Sequence, residues 1–349
     1  MNSGRPSFGV GVIGAGLAFQ AIHARILAGL PQDFTLRAVW DPDSGRASDA
    51  AQWLGTTAPS RCEDMLADPE IDVIVIASPA RFHAEQAIAA MRAGKKAVLV
   101  EKPLCATPDE ANAIAREAAA AGTVLLVGAM HAYDPAWLAA REVIAARSFV
   151  PALVRSSIVL PPNARFEEWA TQPLAAVPSP PNVMPGMTPE QLMRLCIMEL
   201  AIHDLPLVRT LLPEGEMPKV HSARLRNPMG FAVSFTAGDV LVDLSAVLHG
   251  HWKTDWALEA CSPQGHLKLD FTPSFVTAGS ATMTWQSQGE STVQTRTTEN
   301  GYAGQWRAIA DMLRGVRPVP DPGRVAADFC FAHSIAEQAV NALAGEPSK

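Results

Sequence analysis

The turn Gly14-Ala15-Gly16 lies between an apolar run, Phe8 to Ile13, and a stretch with helical character from roughly Ala18 to Ala28. This order of strand, glycine turn and helix narrows the fold more than any other feature. The run is apolar without alternation, as in a strand buried on both faces, and such strands belong to parallel sheets covered by helices. The same grammar then repeats. Thr35 to Trp40 reads as a second strand, ending in Asp41, and Ile71 to Ala77 as a third, followed by Ser78-Pro79. A helix is expected from about His83 to Ala93, stopped by Gly94. Ala97 to Val100 is the next strand and ends in Glu101-Lys102-Pro103. Thr107-Pro108-Asp109-Glu110 has the form of a helix start, with threonine as cap, proline at the first helical position and acids in the first turn. Val124 to Val127 closes a region that reads as a parallel, doubly wound sheet. Lys102 falls at its carboxyl edge, where open α/β folds place their chemistry.

After Gly128 the pattern changes. Strand-like runs at Leu153 to Leu160, Val220 to Leu225, Ala232 to Phe235, Val240 to Leu248, Trp256 to Ala260 and His266 to Phe271 follow through short turns. Most have no helix between them, which predicts an antiparallel sheet and a second domain. Helices are expected at about Pro189 to Leu212, Gly304 to Leu313 and Val325 to Leu343. Between Pro161 and Pro189 a run of prolines, including Pro178, Pro180, Pro181 and Pro185, marks a stiff, irregular excursion. At 349 residues the chain exceeds what one core usually organises. The expected division is residues 1–128 and 129–349.

Composition removes several classes of function. Lys and Arg number 28 against 35 Asp and Glu, a mild charge of -7 without a basic stripe, so nucleic acid is not an expected partner. The five cysteines are scattered and form no Cys-x-x-Cys pair, which indicates neither a disulfide framework nor a zinc knuckle. No stretch is long enough to span a bilayer, and Met1 to Ser7 leads into the first strand without a leader-like apolar block. The expectation is a cytoplasmic protein with no membrane partner. His249-Gly250-His251 puts two imidazoles on one strand face but has no third ligand at metal spacing, so no metal is expected.

The glycine turn has a specific chemical reading. Gly14 permits the tight turn, and Gly16 lets the backbone approach a pyrophosphate held at the positive end of the following helix. The third small residue of the usual fingerprint falls at Phe19, so helix and strand must be spaced differently there or the ring must turn aside. Asp41, at the tip of the second strand, stands where an adenosine ribose diol is bound, and its charge repels a 2′-phosphate. NAD is therefore favoured over NADP, with Arg46 nearby as the opposing feature.

With these residues in view the chain resembles the Gfo/Idh/MocA oxidoreductases over nearly its whole length. The likeness rests on the glycine turn, Asp41-Pro42, the run Ala77 to His83, Ala93 to Leu104 with Glu101-Lys102-Pro103, and Tyr133-Asp134-Pro135. It continues through Glu199 to Leu205 and the strands flanking Gly265. The resemblance implies a Rossmann domain followed by an α/β domain with a large open, mainly antiparallel sheet. It also implies hydride transfer between a nicotinamide and a carbon bearing a hydroxyl. The cofactor set expected on this basis comprises Gly14, Gly16, Leu17, Ala18, Phe19 and Asp41, then Ser78, Pro79, His83, Glu101 and Lys102. Lys102 takes the family lysine's place beside nicotinamide and substrate. Glu199 and His203 occupy the family's Asp-x-x-x-His spacing, with glutamate for aspartate. Two further departures are Met130-His131-Ala132, where Asn-x-Arg is common, and Pro206, where an aspartate often stands.

Residues four apart share one helix face, so Glu199 and His203 are expected to converge on a substrate while Asp204 points elsewhere. Oxidising an alcohol needs a base for the hydroxyl proton as hydride leaves. His203 suits that task near neutral pH, with Lys102 polarising the hydroxyl; the reverse division remains open. Glu199, longer than aspartate, either binds substrate or pairs on the helix surface. The expected substrate is a sugar, cyclic polyol or sugar derivative. The rival reading is a glycoside-cleaving enzyme that retains NAD and oxidises its sugar transiently; a third is a nucleotide-binding regulator. The Pro161 to Pro189 excursion, with Arg165 and Trp169, is either a lid or plain surface. The resemblance further implies a homodimer or homotetramer formed through the second domain's sheet.

Overall fold

The structure is a computed structural model that describes residues 7–161, 186–226, 229–248 and 254–344. Arg165, Trp169 and His249-Gly250-His251 lie outside the described residues. The chain forms two compact units. One holds residues up to Gly128 together with Gln305–Phe329, and the other holds described residues from Ala129 to Gly304 and from Cys330 onward. The division is therefore not a single cut after Gly128, because a late segment returns to the first unit. Its anchors are specific. Trp306 is fully buried edge-on to Phe34, 4.9 Å between ring centres, Gln305 donates to the Val127 carbonyl, and Arg314 pairs with Asp33 at 2.7 Å.

In the first unit β1 (Phe8–Ile13), β2 (Phe34–Trp40), β3 (Val73–Ile76), β4 (Ala97–Val100) and β5 (Val124–Val127) form an all-parallel sheet in the order β2-β1-β3-β4-β5. A one-residue parallel bridge from Thr57 to Ala38 extends it beyond β2. Counted as a strand, that bridge gives the 3-2-1-4-5-6 order of dinucleotide-binding sheets. Val10, Val12, Ile13 and all four residues of β3 and of β4 are fully buried, as their unalternated sequences require. A π-helical turn, Phe19–His23, runs into α1 (Ala24–Ala28); α2 (Ser44–Leu54), α3 (Cys62–Ala67), α4 (His83–Arg92) and α5 (Pro108–Ala121) follow. Thr107 and Glu110 cap α5 reciprocally, whereas α2 and α3 were not among the expected helices.

The second unit begins with a 3-10 turn, Met130–Tyr133, then α6 (Pro135–Arg147) and β6 (Leu153–Leu160). After α7 (Pro189–Glu199) come a 3-10 turn, Ala201–His203, and α8 (Leu205–Leu211). Then follow β7 (Lys219–Leu225), β8 (Gly230–Ala237), β9 (Val240–Leu248), β10 (Asp255–Ser262), β11 (Gly265–Asp270), β12 (Thr282–Ser287) and β13 (Glu290–Gln294). The chain closes with α9 (Gly301–Leu313) and α10 (Pro322–Ala344). The eight strands form one sheet, β13-β12-β11-β10-β6-β9-β8-β7, antiparallel except where β6 lies parallel to β9. Alternate residues face a single core shared with helical side chains such as Trp137, Met193, Leu205 and Ile335. On β6 that inward row reads Val154, Ser156, Ile158, Leu160, so Ser156 is its one polar member.

The expected helix Pro189 to Leu212 is broken. α7 ends at Glu199, Leu200 departs from helical geometry at φ -112 and ψ -63, and α8 restarts at Leu205. Pro206 supplies the reason: it lacks an N–H, clashes with the preceding turn in a helix interior and is tolerated in a first turn, where it now sits. Glu199 and His203 therefore do not share the face of one continuous helix.

Candidate functional site

The site residues of the first unit gather at the carboxyl ends of β1 to β4. Gly14 has φ +100, and a Cβ there would lie 2.7 Å from the Ala77 backbone, so only glycine fits between the ends of β1 and β3. Gly16 is the opposite case, since a Cβ would meet nothing within 4 Å. That open approach is what a pyrophosphate needs at this turn. The turn is braced by Gln20, whose side-chain amide donates to the Ala15 carbonyl at 2.7 Å, a contact without a local sequence signal. Leu17 and Ala18 are half-buried beside it, while Phe19 is fully buried. The π turn begins at Phe19, so the altered winding of the helix start is how the bulky residue is housed.

Asp41 closes the turn from the side. One carboxylate oxygen accepts from the Ala15 N–H and the other from the Asp43 N–H, each at 2.9 Å, and Arg46 lies 3.3 Å away. The Ser78 hydroxyl donates to the side-chain Oε1 of Gln86 at 2.6 Å. His83 is wholly buried, with its ring nitrogens 2.8 Å and 2.7 Å from the carbonyl oxygens of Pro103 and Ser78. Its ring thus ties the Ser78-Pro79 loop to the Lys102-Pro103 loop and has no edge left for another partner. Carbonyls only accept, so both contacts are hydrogen bonds only in the doubly protonated ring.

Glu101 is held by a chain of donors. The Trp306 indole N–H donates to His23 Nδ1 at 3.2 Å, and His23 Nε2 lies 2.8 Å from Glu101 Oε1. An indole nitrogen only donates, so Nδ1 is the acceptor and the His23 proton sits on Nε2, directed at the carboxylate. The other carboxylate oxygen accepts the Lys102 N–H at 3.1 Å. Room for the carboxylate comes from Gly128, where a Cβ would stand 2.8 Å from both oxygens. Burial pushes the Glu101 carboxyl upward, but the hydrogen bond from His23, the charge of Lys102 and the Lys102 main-chain N–H hold it below the ordinary carboxylate range. The motif lysine is thereby presented beside an ionised carboxylate.

In the second unit His203 is buried and Glu199 half-buried on the two sides of the break at Leu200. Asp204, expected to point elsewhere, is fully buried and accepts from His131 Nδ1 at 2.7 Å, Ser156 Oγ at 2.6 Å and Trp256 Nε1 at 2.8 Å. His131, which stands in place of the usual Asn-x-Arg, is likewise buried and stacks on Phe271 at 3.9 Å. The signal available in sequence was Asp204 itself, a charged residue next to His203 in a segment, Leu200 to Leu207, that is apolar apart from these two. Among the described residues no cluster of three or more His, Cys, Asp or Glu could hold a metal ion, and no helix is long and apolar enough to cross a membrane.

A family model described as an oxidoreductase family with an NAD-binding Rossmann fold matches residues 8–129. Inositol 2-dehydrogenase 1 of Saccharopolyspora erythraea is 30% identical over 286 residues, covering 78% of this chain and 77% of that protein. The chain belongs to the Gfo/Idh/MocA oxidoreductase family. A further relative, inositol 2-dehydrogenase 2 of the same organism, is 36% identical over 151 residues, 43% of this chain and 44% of the relative. UDP-N-acetylglucosamine 3-dehydrogenase of Acidithiobacillus ferrooxidans shares the fold, with a TM-score of 0.75 over 97% of this chain and 100% of that one at 21% identity. As a Gfo/Idh/MocA member the protein is an NAD(P)-dependent oxidoreductase. The open Gly16 turn and the carboxylate of Asp41 are the features of its first unit that fit the nucleotide.

Proposed function

We propose that this Gfo/Idh/MocA oxidoreductase transfers hydride between NAD and a secondary hydroxyl of a sugar, cyclic polyol or sugar derivative. The observation that carries the reading is Lys102, presented by Glu101 at the end of β4 on the same sheet edge as the open Gly16 turn. Relatives whose names specify inositol 2-dehydrogenase support the substrate class. Bound NAD supplies the hydride acceptor. Lys102 holds and polarises the substrate hydroxyl, His203 takes its proton, and Glu199 binds a neighbouring hydroxyl. Gly14, Gly16 and the main chain of Leu17, Ala18 and Phe19 would hold the nucleotide's pyrophosphate, and Ser78, Pro79, His83 and Glu101 complete the residues that would hold the cofactor.

Asp41 favours NAD because its carboxylate suits a ribose diol and repels a 2′-phosphate. Arg46 offsets part of that charge, so Asp41→Ser should relax the preference for NAD over NADP by about tenfold, the factor that about 1.4 kcal/mol represents. An unchanged ratio of kcat/KM values for the two cofactors removes Asp41 from the argument.

The reading is tested by denaturing the purified protein, quantifying released NAD(P) by chromatography and screening polyols at 340 nm. An empty protein that binds added NAD reversibly and reduces it with an inositol or sugar supports the dehydrogenase. Near-stoichiometric NAD, with glycoside cleavage and no accumulation of NADH, replaces it with the cofactor-recycling reaction.

A further inference from the structure

Asp204 is wholly buried, and three hydrogen bonds converge on its carboxylate. Ser156 from β6 and Trp256 from β10 both meet Oδ2, while His131 meets Oδ1. The indole only donates, so Oδ2 is an acceptor, and an ionised Asp204 receives all three bonds at once. Among the described residues its ionisable hydrogen-bond partner is His131, not a lysine or arginine. A buried carboxylate is costly unless paired, and a proton arriving on His131 would create the pairing charge. With Nδ1–H committed to Asp204, the ring's free lone pair is on Nε2.

The ring is also immobilised. Phe271 stacks on it with planes 13° apart, and Trp256 meets it edge-on at 4.8 Å. The same indole meets His203 edge-on at 5.6 Å, and the two imidazole centres are 6.1 Å apart. A Cβ on Gly301 would lie 2.0 Å from the Met130 carbonyl oxygen, and one on Gly304 2.3 Å from that of Tyr133, so α9 clamps the turn that bears His131. The titratable groups around His131 are Asp204, His203 and Asp134, the last within range of its charge.

We propose that His131 and Asp204 form a proton-holding pair behind His203. On the reading of His203 as acceptor of the substrate proton, the O–H bond of the alcohol breaks and an N–H bond forms on His203, while the carbinol carbon gives up hydride to the acceptor that bound NAD would supply. The proton then passes through one ordered water to His131 Nε2, and Asp204 stays ionised to balance the charge. Asp204 and His131 are positioning residues here, since they act through His203.

The discriminating variant is Asp204→Asn. Its amide can donate to Nδ1 and so impose the opposite tautomer, with the proton on Nε2, while filling the same space. The expected result is a loss of about 10²-fold in kcat with KM and NAD affinity little changed. Nitrogen-15 NMR should show His131 with its proton on Nδ1 in the native enzyme and on Nε2 in the variant. Ser156→Ala removes a hydrogen bond from Asp204 without touching the tautomer, and should cost less than about 10-fold. Equal losses in the two variants, a retained kcat in Asp204→Asn, or a native His131 protonated only at Nε2 would each overturn the pair. If Asp204→Asn does not fold, the native spectrum and Ser156→Ala decide the matter. Absence of turnover by the native enzyme on every sugar and polyol, with the Nδ1 proton present, instead counts against the substrate reading.

Discussion

Replacing Lys102 by Met is expected to lower kcat by about 10³-fold while leaving nucleotide binding in place. Methionine keeps most of the side chain's length and apolar stem but removes the ammonium. The local frame keeps its hydrogen bonds in the exchange, because Glu101 accepts from the Lys102 main-chain N–H and His23 and Trp306 fix Glu101 from behind, although the ammonium's charge beside Glu101 is lost. What disappears is a group able to hold and polarise a hydroxyl at the carboxyl end of β4. A direct titration with NAD, followed by steady-state kinetics on whichever polyol the native enzyme accepts, separates the two effects. Retention of more than a tenth of the native kcat would remove Lys102 from the chemistry. Loss of NAD binding as well would mean that it serves the cofactor rather than the substrate.

Gly301→Ala should destabilise the second unit by about 3 kcal/mol, at the upper end for overpacking of a close contact. The added carbon would sit 2.0 Å from a main-chain oxygen, that of Met130, and backbone cannot swing aside as a flexible side-chain tip can. Gly304→Ala should follow in the same direction, because its Cβ would approach the Tyr133 oxygen to 2.3 Å. Gly16→Ala provides the contrast, since nothing lies within 4 Å of the new atom and the melt should hardly move. Urea or thermal unfolding of the three variants reads this directly. Equal stability of Gly301→Ala and the native protein would show that α9 can withdraw from the Met130–Tyr133 turn.

Much of this architecture could be read in advance because its signals are local. Unalternated apolar runs mark buried parallel strands, and Thr107 with Glu110 marks the start of α5. Gly14, Asp41 and Lys102 were legible because each terminates such a strand. The hairpin of β12 and β13 was missed although Gln288-Gly289 follows the alternating Thr282 to Ser287, with Gly289 at φ +78. The break at Leu200 was missed although Pro206 announces it, since periodicity ran on across the proline. Other features have no local signature. Trp306 reaches His23 across 283 positions, and Ser156 reaches Asp204 across 48. Only the folded backbone brings such donors together, so the residues that orient Glu101 and Asp204 could not be found by spacing.

The single parallel pairing in the second sheet has a consequence for synthesis on the ribosome. β6 lies at the middle of the sheet, between β9 and β10, yet its first neighbour begins only at Val240 and its other at Asp255. As the chain emerges from its amino end, Leu153–Leu160 must wait with both hydrogen-bonding edges uncovered until about eighty or more further residues have been made. Its apolar face, Val154, Ile158 and Leu160, is exposed over the same interval. The nascent second unit therefore makes a central strand early and can bury it only late, a delay that the finished fold no longer displays.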